Sequence, residues 1–136
     1  MKEKLRIMVV DDNPISRKII RLQLKNIANV EEVATPQKCA IKFIDAVVKK
    51  QYYDIICLDI RMPVMDGKDV LTHIKDYEND VEVPEDKKVK VIMTTALDDP
   101  KNVMKSIHIG CNDYLIKPIA KITLLESIIK VLTTAL

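Results

Sequence analysis

No apolar run in this 136-residue chain approaches the ~18 residues of a membrane span. Its opening, Met1-Lys2-Glu3-Lys4, lacks the hydrophobic segment of a signal peptide and runs straight into a strand-like stretch. Cysteine is sparse. Cys39, Cys57 and Cys111 are odd in number and show no C-x-x-C spacing, which argues against a disulfide framework and against a zinc site. Cys57 sits inside an apolar run and reads as a buried small hydrophobe. Charge of one sign is also lacking: a formal net charge of +2 is too small for bulk electrostatics to hold nucleic acid or a membrane surface. Repeats, low-complexity segments and an internal linker are absent as well. These absences lead to one expected domain over residues 1–136, in the cytoplasm by default, with no direct nucleic-acid or membrane contact.

What is present is a regular alternation. Strand-like runs fall near residues 5–10, 30–33, 54–58, 89–94 and 113–116, and helix-like segments near 14–27, 36–49, 67–78, 100–109 and 121–134. Asn13-Pro14, Thr35-Pro36 and Asp99-Pro100 each place a capping residue before a proline suited to the first helical position. Gly110 suits the end of the fourth helix. The segment from Glu78 to Lys88 is polar, charged and contains Pro84, so it reads as a surface loop. Tyr52 and Tyr53 are expected to pack where the third strand begins, and His73 and His108 to lie on helix surfaces. Five βα units of this size predict an α/β fold, a doubly wound parallel sheet with the first strand central. The strand order is a topological expectation, since chain order alone does not fix it.

Three strand-like runs end on chemistry. Ile7-Met8-Val9-Val10 stops on Asp11-Asp12, Ile55-Ile56-Cys57-Leu58 stops on Asp59, and Tyr114-Leu115-Ile116 stops on Lys117-Pro118. In an open parallel sheet ligands sit at the carboxyl ends of the strands, so three acids and a lysine are expected around one crevice. Two carboxylates ~4 Å apart repel by about 4 kcal/mol at an effective dielectric near 20, so such a cluster calls for a cation. Mg²⁺ is the hard divalent ion that needs only one or two carboxylates besides water. One acid after a strand is commonly just a helix cap, but a pair leaves one unexplained. A carboxylate at Asp59, beside a metal and a lysine, is placed to attack phosphorus, a reaction that is mostly positioning and charge neutralisation. The fourth strand ends on Thr94-Thr95, and alternation lets only one hydroxyl address the cleft.

With these residues in hand, the chain resembles a response-regulator receiver domain, similar to the single-domain chemotaxis type. The resemblance rests on Asp11-Asp12, Leu58-Asp59-Ile60-Arg61-Met62-Pro63 with Asp66-Gly67, Thr95-Ala96 and Lys117-Pro118, and it spans nearly the whole chain. It implies a flavodoxin-like (βα)5 fold with strand order 2-1-3-4-5. It implies Asp59 as phosphoacceptor, with Asp12, Asp59 and the Arg61 backbone carbonyl binding Mg²⁺ directly and Asp11 acting through a metal-bound water. Thr95, which directly precedes Ala96, would be the switch hydroxyl, Lys117 the partner of the phosphoryl group and Tyr114 the aromatic that turns inward. A cis Lys117-Pro118 bond goes with it. Ile119 departs from the aromatic often found there, and Arg61 and Leu97 occupy positions that tune phosphate lifetime.

The implied function is a phosphoprotein in a two-component regulatory system, a phosphorelay signalling module rather than an enzyme. A sensor histidine kinase or histidine phosphotransfer protein would supply phosphate, and a downstream effector would read the surface of helix 4, strand 5 and helix 5. A Mg²⁺-dependent phosphatase with an aspartyl nucleophile is the alternative, but it needs a general acid two residues after Asp59, where Arg61 stands. A flavodoxin-like FMN module needs a hydroxyl- and glycine-rich loop after the first strand, where Asp11-Asp12 would repel phosphate. On the last helix, Ile122, Leu125, Ile129 and Leu132 form one apolar stripe and Leu124, Ile128, Val131 and Ala135 another. Together they cover an arc of roughly 180°, wider than the ~100° of a core-facing helix. Three expectations stay open: a helix sunk deep among neighbours, a fragment cut from a longer protein, or a docking face for a partner or a homodimer.

Overall fold

The computed structural model describes residues 4–96 and 99–134. Leu97 and Ala135 lie outside the described residues. Five strands, β1 (Leu5–Val10), β2 (Ala28–Val33), β3 (Ile55–Asp59), β4 (Lys90–Thr95) and β5 (Asp113–Ile116), alternate with five helices, α1 (Pro14–Leu24), α2 (Pro36–Val48), α3 (Gly67–Asp80), α4 (Pro100–Ile109) and α5 (Lys121–Thr133). All strand pairs are parallel, in the order β2-β1-β3-β4-β5, as expected.

The apolar runs are continuous because both faces of the sheet are covered. Successive side chains of a strand point to opposite faces. Met8, Val10, Ile56, Leu58, Val91 and Met93 therefore meet Phe43, Ile74 and Val103 of α2, α3 and α4 on one side. Ile7, Val9, Ile55, Cys57 and Ile92 meet Ile20, Leu24, Leu124 and Ile128 of α1 and α5 on the other. Cys39 and Cys57 are both buried, and His73 and His108 are exposed. Tyr53 is buried before β3, its hydroxyl donating to Glu31 Oε2 at 2.9 Å.

Local signals set the helix starts. Asn13 accepts from the Ile15 and Ser16 amides, and Thr35 from the Lys38 amide. Gly110 ends α4 at φ +120°, a left-handed conformation that favours glycine.

Four expectations need correction. Helix α1 stops at Leu24 and β2 begins at Ala28, because Ile27 is drawn into the sheet: its carbonyl accepts from the Leu5 amide at 3.1 Å. The segment after residue 78 is not all surface loop. Helix α3 continues to Asp80, and Glu78 is buried because its Oε2 accepts from the Val89 amide at 2.8 Å, anchoring the start of β4. Asp99 stands at the cap position of α4 without a side-chain capping bond, since its carboxylate is engaged by Asn102 and Arg61 side chains. The two apolar stripes of α5 have separate fates. Leu124, Ile128 and Val131 are core, whereas Ile122, Ile129 and Leu132 are exposed and Leu125 is half-buried, so only the stripe through Ile122 and Ile129 is open surface.

Candidate functional site

Register brings the acids together. Val10 pairs with Leu58 across β1 and β3, so the chain leaves both strands at one level and delivers Asp11 and Asp59 side by side. Oxygen atoms of Asp11, Asp12 and Asp59 all lie within 4.8 Å of one another. Asp11 and Asp59 are buried and Asp12 is exposed. Every polar part of Asp11 is used: its amide donates to Val33 O, its carbonyl accepts from Arg17, and its Oδ1 accepts from the Asn13 amide at 2.9 Å.

Lys117 completes the cluster from β5. Its amide donates to Thr95 O at 2.8 Å, and its peptide bond to Pro118 is cis, as expected. The ammonium lies 2.7 Å from Asp11 Oδ2 and 3.4 Å from Asp59 Oδ2. Burial alone would lower the Lys117 pKa, but the hydrogen bond and charge of Asp11 and the charge of Asp59 raise it. Burial acts the other way on Asp59. Together with the Asp11 charge it pushes the Asp59 carboxyl up to about 6, against the opposing pull of Lys117 and of the Arg61 amide.

The loop from Asp59 to α3 is tied at both ends. The Ile60 amide donates to Thr94 O at 3.0 Å, and the Gly67 amide donates to Ile60 O at 2.7 Å. Ile60 and Met62 are buried as anchors, and between them and the helix Val64 adopts φ +74°, a costly conformation for a β-branched residue. Gly67 is dictated by close approach: a Cβ there would sit 3.0 Å from Asp59 C and from Ile60 Cα and closer still to Asp59 O.

The Thr95 carbonyl holds the Lys117 amide, but the Thr95 hydroxyl is turned to its own chain neighbour. Both Thr94 and Thr95 are buried, and the Thr95 hydroxyl donates to Ala96 O at 3.3 Å rather than to Asp59. Tyr114 is exposed on the edge strand β5.

One group of residues escaped the sequence reading. Arg61 Nε lies 3.0 Å from Asp99 Oδ2, and both Asp99 oxygens accept from Asn102 Nδ2 at 2.7 and 2.9 Å. Asn102 Oδ1 in turn accepts from Lys68 Nζ at 2.7 Å, and Lys68 reaches Asp66 Oδ2 at 2.9 Å. The hydrogen bond from Asn102 and the charge of Arg61 hold the Asp99 carboxyl below its usual range. Asp99 was visible as a helix-start signal; its connection to Asp66 through Asn102 and Lys68 is made only in space.

Chemically, three carboxylates facing one ammonium leave two negative charges (three minus one), the demand of one hard divalent cation with oxygen ligands. A raised carboxyl pKa at Asp59 says the same: without such a cation the cluster favours a proton.

The family model for the response regulator receiver domain matches residues 7–129. The protein-glutamate methylesterase/protein-glutamine glutaminase of Desulfotalea psychrophila is 32% identical over 85% of this chain, which spans only 30% of that protein's length. Protein CcdB of Bacillus subtilis is 32% identical over 93% of this chain and 97% of its own. Among solved structures, the CheX-CheY-BeF3-Mg complex from Borrelia burgdorferi has a TM-score of 0.80 at 23% identity, covering 96% of this chain and 90% of that one. That last likeness concerns the fold.

Proposed function

The chain belongs to the response regulator receiver domain family, and from that premise we propose that it is a phosphoacceptor module in which Asp59 receives the phosphoryl group. The observation that carries this reading is the convergence of Asp11, Asp12 and Asp59 on Lys117 at the carboxyl ends of β1, β3 and β5. The whole chain, 1–136, is proposed as one such domain, acting in the cytoplasm; among the described residues no helix is long and apolar enough to cross a membrane.

Asp12, Asp59 and the Arg61 carbonyl would hold Mg²⁺, and Asp11, already bound to Lys117, would act through water. When bound, the ion supplies charge neutralisation for an incoming phosphoryl group. Asp59 then attacks phosphorus: a P–O bond forms as the P–N bond to the donor histidine of a kinase or phosphotransfer protein breaks. The imidazole departs with the electron pair and takes a proton. Lys117 offsets charge on the new acyl phosphate, and the Thr95 hydroxyl turns from Ala96 O toward it. This is stoichiometric signalling chemistry, not turnover of a free substrate. The phosphatase alternative lacks a general acid, because the guanidinium of Arg61, two residues after Asp59, does not give up a proton. Incubation with a small acyl phosphate and Mg²⁺ is expected to add a single phosphoryl group by mass, and a chelator should stop both its addition and its loss. Labelling that persists at full rate in excess chelator would falsify the metal-dependent reading.

The output surface proposed is the face of α4, β5 and α5. Exposed Met104, Tyr114, Ile116, Ile122 and Ile129 support it, for an effector or a second copy of the chain. Space vacated by Thr95 would let Tyr114 turn inward and couple this face to Asp59. Beryllofluoride, which mimics the phosphoryl group, is expected to strengthen self-association or effector binding. Ile129→Asp should remove that response and leave Asp59 labelling intact. An unchanged oligomeric state and unchanged amide spectrum over residues 99–134 on adding beryllofluoride would sink the output proposal. Leu124 is unsuited to this test, being wholly buried against β4 and α1 neighbours in the core.

A further inference from the structure

We propose that Asp99, Asn102 and Lys68 are positioning residues for the phosphoryl chemistry, acting by pinning the Arg61 side chain to α4 so that the loop beside Asp59 is held in one arrangement. The inference rests on Asp59 and the Arg61 carbonyl working as described above. Arg61 follows Asp59 by two residues, and its backbone amide acts on the Asp59 carboxylate, pulling its pKa down. Where the Arg61 backbone goes, the acceptor oxygen and the metal-facing carbonyl go together.

Between its tied ends and its Ile60 and Met62 anchors, the loop runs over the surface. Arg61, Pro63 and Val64 are exposed, and Val64 holds a left-handed conformation that a free loop would leave. An arginine on such a loop normally samples many rotamers in water. Here its Nε is met at 3.0 Å by a carboxylate that is only 6% exposed. That carboxylate has no freedom either, since both its oxygens are taken by one Asn102 amide group. Asn102 cannot rotate without also losing Lys68, and Lys68 cannot move without releasing Asp66, whose other oxygen caps α3. The run Asp66–Lys68–Asn102–Asp99–Arg61 is thus a continuous clamp from the start of α3 to the start of α4 that reaches the loop of the acceptor through Arg61. Charge-assisted bonds of 2.7–3.0 Å in a shared network are the strong kind, and they reinforce each other.

A purely structural staple between α3 and α4 would use the same bonds, so the test reads the site rather than stability. In the 136-residue chain, Asp99→Ala and Arg61→Ala are each expected to weaken Mg²⁺ binding by calorimetry, and to slow labelling by acetyl phosphate, by about tenfold. The double variant should be no worse than the worse single variant, because both remove one element. The Arg61 Nε–H resonance is expected to be displaced and slow to exchange in the wild type, and to move to the solvent-exposed position in Asp99→Ala. Asn102→Ala should show the same direction with a smaller effect. If Asp99→Ala folds poorly, the exposed Arg61 side chain lets Arg61→Ala provide the site readouts alone. Unchanged Mg²⁺ affinity and labelling in Arg61→Ala and Asp99→Ala, or effects that simply add in the double variant, overturn the proposal. Should the wild type refuse phosphate while Asp99→Ala still weakens Mg²⁺ binding, the acceptor assignment fails and the clamp stands.

Discussion

Asp59→Asn should take up no phosphoryl group and yet, without metal at about pH 7.5, unfold at a higher temperature than the wild type. The first effect follows from chemistry: an amide is a poor nucleophile toward phosphorus. The second follows from linkage. Burial and the Asp11 charge raise the folded-state pKa of Asp59 to about 6, above its ordinary value of 3.8. The folded protein therefore binds that proton more tightly than the unfolded chain. Protonated Asp59 contributes stability below its ordinary pKa, and the contribution is lost as pH rises through about 6. Above that, the wild type holds an anion its site disfavours. The shift corresponds to on the order of 2 kcal/mol after allowance for solvent screening. The Asn variant carries no such charge and keeps Lys117 paired with Asp11 at 2.7 Å. Mg²⁺ should then stabilise the wild type strongly and the variant far less. Thermal denaturation with and without metal, beside mass measurement of labelling, separates a lost nucleophile from a lost fold. A variant less stable than the wild type in chelator would contradict the electrostatic account.

Gly67→Ala should be the most damaging single-methyl change at the site. The added Cβ meets backbone on three atoms, 3.0 Å from Asp59 C and Ile60 Cα and nearer to Asp59 O, with no flexible side-chain end to yield. Either α3 retreats and breaks the 2.7 Å bond from the Gly67 amide to Ile60 O, or the Asp59 peptide shifts. Overpacking costs typically ~1–3 kcal/mol, and contact with backbone puts this case at the upper end. A loss of about 3 kcal/mol lowers the melting temperature by roughly 10 °C in a domain of this size. Labelling of the fraction still folded should also slow, since the nucleophile moves with its peptide. An Ala variant with wild-type melting and labelling would show that the α3 start is not the fixed stop described here.

Most of the site was legible because its parts are local. Apolar runs bounded by Asp11, Asp59 and Lys117 declare buried parallel strands, and the carboxyl ends of such strands are where ligands gather. Asn13-Pro14 and Thr35-Pro36 announce helix starts through bonds made within three residues. What was hidden depends on distant partners. The end of α1 was misplaced because the Leu5 amide claims Ile27 O, a sheet bond with no helical signal. Glu78 looked like loop because nothing near it predicts the Val89 amide that buries it. The arc on α5 could not be divided from its periodicity, since Leu124 and Ile129 differ only in what lies opposite them: a packed core for one and solvent for the other. Asp99 carried a capping signal, and Arg61 and Asn102 took its carboxylate from the helix.

The central claim is that the phosphoryl group sits on the Asp59 carboxylate, and an acyl phosphate can be trapped there. Borohydride reduces a carboxyl phosphate to the alcohol and leaves free carboxylates alone, so labelled protein, reduced, digested and sequenced by mass, should show homoserine at position 59 and nowhere else. Omitting the phosphodonor or adding chelator should abolish the modified peptide. Homoserine at position 11 or 12 instead, or a phosphoryl group that resists borohydride and stays on a hydroxyl or imidazole, would contradict the account.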